Sequence, residues 1–194
     1  RPAPVPTELQ LYGAGTELAG SNLENLLLRV ISDQGANAVL TISTSRVNRG
    51  SIRMESLRPD RTTALLVAGG FLENGDVGTI VTDGSNGGGR EIRGAFRNRG
   101  VLTLGHPLEI SGPGAQHRNE GLISLKGHTL AVSGSTFANA QGGRILGSGA
   151  LDVRGVVFVN AGILSPGESP GRLSINGNYT HAATGVLDVE IAGG

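Results

Sequence analysis

The chain has 194 residues, a length for one domain or a short repeat array, and 16 Lys and Arg balance 16 Asp and Glu, so no basic excess offers a footprint for nucleic acid. There is no cysteine, which excludes disulfides and thiolate metal sites, and no apolar run near the ~20 residues of a membrane-spanning helix. The 33 glycines lack the every-third spacing of collagen and so demand frequent turns, while four Phe, two Tyr and no Trp leave little for stacking on sugars or bases.

Residues 1–7 carry Pro2, Pro4 and Pro6, cannot donate a regular ladder of hydrogen bonds, and read as an extended arm ahead of a domain spanning 8–194. With Arg1 in place of Met and no signal-like segment, the chain reads as a mature or excised piece. Leu26–Ile31 and Val39–Ile42 have the apolar content of strands but no clear register. Asn48-Arg-Gly50 mirrors Asn98-Arg-Gly100, with Ile52 and Met54 alternating behind it. The stretch Asp83–Gly89 superficially suggests a phosphate or calcium loop. It lacks the Lys-Ser/Thr of a P-loop and the bidentate Glu of an EF-hand, and reads as a surface loop.

Regular coils are expected over about 71–191, because a motif of ring, spacer and Asn recurs there: Phe96-x-Asn98, His117-x-Asn119, Phe137-x-Asn139 and Phe158-x-Asn160, with Tyr179 one period further on. Phe71-x-x-Asn74 is one residue longer. From Asn98 the Asn steps are 21, 20 and 21 residues. After each Asn comes a Gly and an alternating strand, as in Gly100–Leu104 and Gly121–Leu125, and then a second strand ending in Gly, as in Leu108–Gly112, Leu130–Gly134, Leu151–Gly155 and Leu173–Gly177. Alternation puts one apolar row on one face of each strand. Two or three short strands per unit cannot enclose a core alone, but stacked on copies of themselves they can. The fold class predicted is an all-β, single-domain parallel β-solenoid of about 21 residues per coil.

Residues 162–191, Gly-Ile-Leu-Ser-Pro-Gly-Glu-Ser-Pro-Gly-Arg-Leu-Ser-Ile-Asn-Gly-Asn-Tyr followed by Gly185-Val-Leu-Asp-Val-Glu-Ile191, resemble the passenger-associated repeat of bacterial autotransporters. The resemblance implies a right-handed parallel β-helix exported to the bacterial cell surface, with a role in adhesion or as a stalk. That repeat carries no catalytic residues, so none are transferred. No outer-membrane β-barrel pattern follows within these residues.

The columns Asn98, Asn119, Asn139, Asn160 and Phe96, His117, Phe137, Phe158, Tyr179 are read as structural ladders, with His117 a flat space-filler, because buried polar groups pair locally. Asp60, Asp76, Asp83, Asp152 and Asp188 converge on no one column, and Ser-Pro-Gly-Glu-Ser is not a nucleophile elbow, so neither catalysis nor a cofactor or metal is expected. The last strand, Gly185–Ile191, lacks a cap, which points to head-to-tail self-assembly through Leu187, Val189 and Ile191 with the arm of Pro2, Pro4 and Pro6 lying along the neighbour. The function expected is thus a non-enzymatic extracellular filament subunit. The alternatives are a surface adhesin for polysaccharide or a host protein and, more weakly, a carbohydrate-active enzyme.

Overall fold

The computed structural model describes residues 7–83, 87–167 and 171–189, and every regular element among them is a strand. The strands pair in parallel, coil upon coil, into a β-solenoid of about 8 turns and about 22 residues per turn.

Each coil contributes to three stacks. The first stack runs through Thr7–Tyr12, Leu26–Ser32, Ser51–Ser56, Thr79–Asp83, Val101–Leu104, Leu122–Ser124, Arg144–Leu146, Ile163–Ser165 and Val186–Leu187. The second includes Thr16–Glu17, Ala38–Ile42, Leu108–Ser111, Thr129–Val132, Gly149–Asp152 and Leu173–Asn176, and the third includes Arg46–Asn48, Gln116–Asn119, Thr136–Asn139, Val157–Asn160 and Tyr179–His181. Two long strands, Thr62–Asn74 and Gly89–Asn98, turn the corner and serve both of these stacks. At the turn in the second of them Gly94 adopts a φ of 116°, and a Cβ there would sit 2.5 Å from the Val67 carbonyl oxygen. The first strand begins at Thr7, inside the stretch assigned to an arm, and residues 1–6 lie outside the described residues.

The core follows from the alternation. Leu9, Leu28, Ile52, Ile80, Leu102, Ile123, Ile145, Leu164 and Leu187 form one inward column. Its seven interior members are at most 2 % exposed. Each such residue stabilises the fold by about 2 kcal/mol relative to leaving it in water. In the second stack Leu108, Leu130, Leu151 and Ile175 stack likewise.

Coil length is not constant. Measured along the third stack, the steps are 26, 26 and 24 residues before Asn98 and 21, 20 and 21 after it. The wide coils carry strands of 7 and 6 residues in the first stack where the narrow ones carry 3. This taper explains why Leu26–Ser32 and Ala38–Ile42 show no register in the sequence: their partners are not one constant period away. The wider interior also accommodates a charged group. Arg90 is 1 % exposed, in the column that continues through Leu108, and its guanidinium donates to the carbonyls of Met54 at 3.1 Å, Asp83 at 3.0 Å, and Gly87 and Gly88 at 3.0 Å each. Burial pulls its pKa down to about 10, with Asp83 and Glu55 opposing, so it stays charged at neutral pH. Arg90 therefore pins both ends of the Asp83–Gly89 loop, of which residues 84–86 lie outside the described residues. On the outer surface Arg29 grips Glu55 at 2.8 Å through two nitrogens and Glu8 at 3.0 Å, tying three coils together.

The inward and outward assignments can be tested on adjacent residues. Leu151 is fully buried, while its neighbour Asp152 faces outward and bonds Arg154 at 2.6 Å. Leu151→Ala should lower unfolding stability by about 3 kcal/mol, and Leu151→Asp by more, because a charge replaces packed aliphatic volume. Asp152→Ala should cost under about 1 kcal/mol, the range of an exposed ion pair. Urea denaturation followed by circular dichroism separates them, and similar losses would mean the register is wrong.

Candidate functional site

Two features stand out beyond the aliphatic core: a buried amide ladder along one corner, and exposed apolar residues in the first and last described rungs. The ladder arises because the third-stack strands from Arg46–Asn48 to Val157–Asn160 each end in an Asn whose side chain is turned inward, with Asn22 extending the column beyond them. Asn22, Asn48, Asn74, Asn98, Asn119, Asn139 and Asn160 are each at most 1 % exposed. The Nδ2 of each of the first six donates to the Oδ1 of the next, at 2.6, 2.7, 2.8, 2.8, 2.7 and 2.7 Å. The second amide hydrogen goes to a backbone carbonyl of the next coil, as from Asn48 to Thr79 at 3.0 Å, Asn74 to Val101 at 3.1 Å and Asn98 to Leu122 at 3.1 Å. Immediately after the ladder the coils approach so closely that a Cβ on Gly100 would lie 2.1 Å from the Gly78 carbonyl oxygen, which is why Gly follows the Asn.

Asn98, Asn119, Asn139 and Asn160 thus share one column, and the structure adds Asn74, Asn48 and Asn22. Asn22 pairs with Asn48 by a single bridge outside any strand, so no strand pattern in the sequence marks it. The ladder has a direction, and its two buried ends, Asn22 Oδ1 and Asn160 Nδ2, lack a hydrogen-bond partner among the described residues. His181 occupies the position after Asn160, where its Nδ1 lies 2.5 Å from the Tyr179 hydroxyl.

Two residues before each Asn runs the ring column. Phe96, His117, Phe137, Phe158 and Tyr179 follow one another in register, with ring centroids 5.2 Å apart for Phe137 and Phe158 and 5.7 Å for Phe158 and Tyr179. Phe71, assigned to this column with an extra spacer, is not in it. Leu72 pairs with Phe96, and Phe71 pairs with Ala95 and faces outward, where the Arg97 guanidinium stacks 4.0 Å from its ring centroid. The spacing from column to Asn was constant, and the ring was replaced by an aliphatic side chain.

His117 is 2 % exposed, and its Nε2 lies 3.0 Å from the Ser133 carbonyl oxygen. A carbonyl only accepts, so Nε2 carries the proton. Nδ1 is buried without a partner among the described residues. Protonation would place an unpaired charge in the core, and burial accordingly pushes the imidazole below its ordinary value, the Ser133 bond opposing.

The first and last described rungs expose apolar side chains. Leu187, Val189 and Val186 are 58 %, 53 % and 47 % exposed, and Leu9 at the other end is 49 % exposed. Leu164, Pro166, Leu173, Ile175, Tyr179 and Leu187 line a cavity of about 260 Å³ in the last rung. Val186 N and Asp188 N donate back to Gly162 and Leu164, so by strand alternation the N–H groups of Leu187 and Val189 face away from the preceding coil. Pro2, Pro4, Pro6 and Ile191 lie outside the described residues.

The carboxylates read differently in space. Glu91, Glu109 and Asp152 fall in one outward column, interrupted by Ala131. A search restricted to aspartates could not find it. Glu91 contacts Arg93, and Arg154 hydrogen-bonded to Asp152 holds that carboxyl below the usual range. A general acid needs the opposite shift. Among the described residues no group of three or more His, Cys, Asp or Glu could hold a metal ion, and no helix is long and apolar enough to cross a membrane.

The geometry defines a parallel β-solenoid with an internal asparagine ladder. Compared with known proteins, the chain matches no family model, no curated protein and no solved structure at a significant level.

The buried imidazole makes stability depend on pH. With its folded pKa depressed, the contribution of neutral His117 is complete above the ordinary imidazole value and is lost as pH falls through the lowered one. Urea unfolding measured from pH 7.5 down to pH 5 should show falling stability, and His117→Phe, which keeps a flat ring between Phe96 and Phe137, should flatten that fall. An unchanged slope would show that His117 is not the group responsible.

Proposed function

We propose that the protein is a non-enzymatic structural solenoid whose copies stack head to tail, the last rung of one pairing with the first rung of the next. The observation that carries this reading is the exposure pattern of one column. Leu9 and Leu187, in the first and last described rungs, occupy the same inward row as residues at most 2 % exposed, yet are themselves 49 % and 58 % exposed. A parallel strand laid on Val186–Leu187 would meet the outward N–H groups of Leu187 and Val189 and cover the apolar cavity beside them. A second copy offers Leu9, Leu11 and Leu18 for that purpose. The contact is heterologous, so unless its rotation closes a ring it propagates. The taper shapes the joint: a narrow 21-residue coil would sit on a wide 26-residue one, with the inward rows in common and the excess at the corners.

The resemblance of residues 162–191 to the autotransporter passenger repeat supports an extracellular or cell-surface setting. It also favours a second reading, a surface adhesin. For that reading the relevant feature is the shallow cavity of about 430 Å³ where Ala131 and Ser133 leave a notch between Glu109 and Asp152.

Sedimentation velocity over a wide concentration range tests the stacking. The unmodified chain should form larger species as concentration rises, with thermal stability rising in parallel by mass action. Val189→Pro removes an outward donor without breaking an inward bond and should suppress growth, with the circular dichroism of the inner coils retained. A chain that stays monomeric at high concentration, or a proline variant that assembles equally well, would overturn the reading.

A further inference from the structure

We propose that the corner groove around Lys126 binds the acidic groups of a linear anionic polysaccharide running along the solenoid axis. The groove lies where the first stack turns into the second, crosses successive coils and has a volume of about 620 Å³. Ser124, Lys126, Leu146 and Ser148 line it together with turn glycines, and among the described residues no carboxylate does. In this it is the opposite of the notch on the second-stack face, where Glu109 and Asp152 stand. Residues 168–170, which follow Gly167 at one side of the groove, lie outside the described residues.

Lys126 is exposed, and its ammonium has no hydrogen bond or ion pair among the described residues. Elsewhere on the outer surface cations are matched, as Arg99 is by Asp76, Arg118 by Glu120 and Arg154 by Asp152. A charge left free beside a cavity is available to a ligand. Lys126 is also the one residue other than glycine with a positive φ among the described residues, at 49°, where the turns that follow in the same groove use Gly147 at 99° and Gly167 at 93°. A side chain at this position carries strain that glycine would avoid, and what it contributes in return is the ammonium group.

Arg172 supplies a second cation. Gly127 N donates to Ser148 O at 2.7 Å, and Arg172 N donates to Ser148 Oγ at 3.2 Å, so Ser148 sits between the turns that carry Lys126 and Arg172. Those two turns are two coils apart, about 10 Å along the axis. Arg172 is exposed, precedes Leu173, which packs against the core, and has no partner for its guanidinium among the described residues. Cations at this separation suit acidic groups on alternate sugars of a chain and not the oxygens of a single small anion. The Ser124 hydroxyl and the N–H groups of Lys126 and Ser148 also lack partners among the described residues and add donors for sugar oxygens, while half-buried Leu146 offers an apolar surface to ring C–H groups. The groove faces sideways, so the proposal does not depend on head-to-tail stacking.

Lys126 is the only lysine in the sequence, so isotope-labelled reductive dimethylation, which keeps its charge, gives it a magnetic resonance signal of its own beside that of the terminal amine. Titration with an oligogalacturonate should shift the Lys126 signal saturably, and the affinity should fall as salt is added. The neutral methyl ester of the same oligomer and inorganic tripolyphosphate should leave the signal unmoved. Lys126→Gly and Arg172→Gln should each weaken binding in a calorimeter about threefold or more at low salt. Lys126→Gly should do so with an equal or higher melting temperature, because glycine accepts a positive φ freely, which separates lost binding from lost folding. Arg154→Gln, on the second-stack face, should bind as the unmodified chain does. Absence of binding, an ester or tripolyphosphate that binds as well as the acidic oligomer, or Lys126 and Arg172 variants that bind as tightly as the unmodified chain would each overturn the proposal.

Discussion

A primary amide enclosed in an apolar interior has two donor hydrogens and an acceptor that must all be matched, and water is not there to do it. In this molecule seven such amides are matched by one another and by the backbone of the next coil, save Asn22 Oδ1 and Asn160 Nδ2 at the two ends of the column. The arrangement works only if like residues lie directly over like, one strand spacing apart. A slip of one residue in any coil would turn that Asn out of the column and leave its neighbours' hydrogen-bonding groups bare. The ladder thus converts a general tendency of strands to pair into one specified register, and the aliphatic columns, ring column and close corner glycines all inherit it.

That constraint acts on register and leaves coil length free. Between one Asn and the next the chain can carry 20 residues or 26, provided that it returns to the same corner. The wide coils use the additional residues to lengthen strands and to enclose Arg90, whose donors are matched by carbonyl oxygens in the place where later coils put Leu. Both solutions answer the same requirement, that buried polar groups be paired, and the ladder falls short of it only at its two terminal amides. His117 meets it only partly, with one nitrogen bonded and the other bare, and this is where the interior is sensitive to protons.

A solenoid built this way separates its surfaces by chemistry. The long sides carry ion pairs, within a coil as Arg154 with Asp152 and between coils as Arg99 with Asp76. The first and last described rungs are different in kind, since Leu9, Val186, Leu187 and Val189 there are about half exposed while the rows they continue are buried. The corners are different again, because side chains there leave the pleat and can meet the equivalent residue of the next coil, as His106 meets His128.

The sequence by itself determined the architecture where the coils are equal in length. From Phe96 onward, a 20–21-residue step and strict alternation identify the inward rows, and Asn98 through Asn160 can be aligned by counting. Alternation likewise separates Leu151 from Asp152 without knowledge of any contact. Counting failed where the step changed: it put Phe71 in the place of Leu72, missed Asn22, and left Leu26–Ser32 and Ala38–Ile42 without partners. Only the tertiary structure decided those pairings, the burial of Arg90, the carboxylate column through Glu91 and Glu109, and the approach of His106 to His128. The reason is physical. A periodic sequence reports contacts between coils only while the path between them is constant, and once loops differ in length the register is set by hydrogen bonds closing in space.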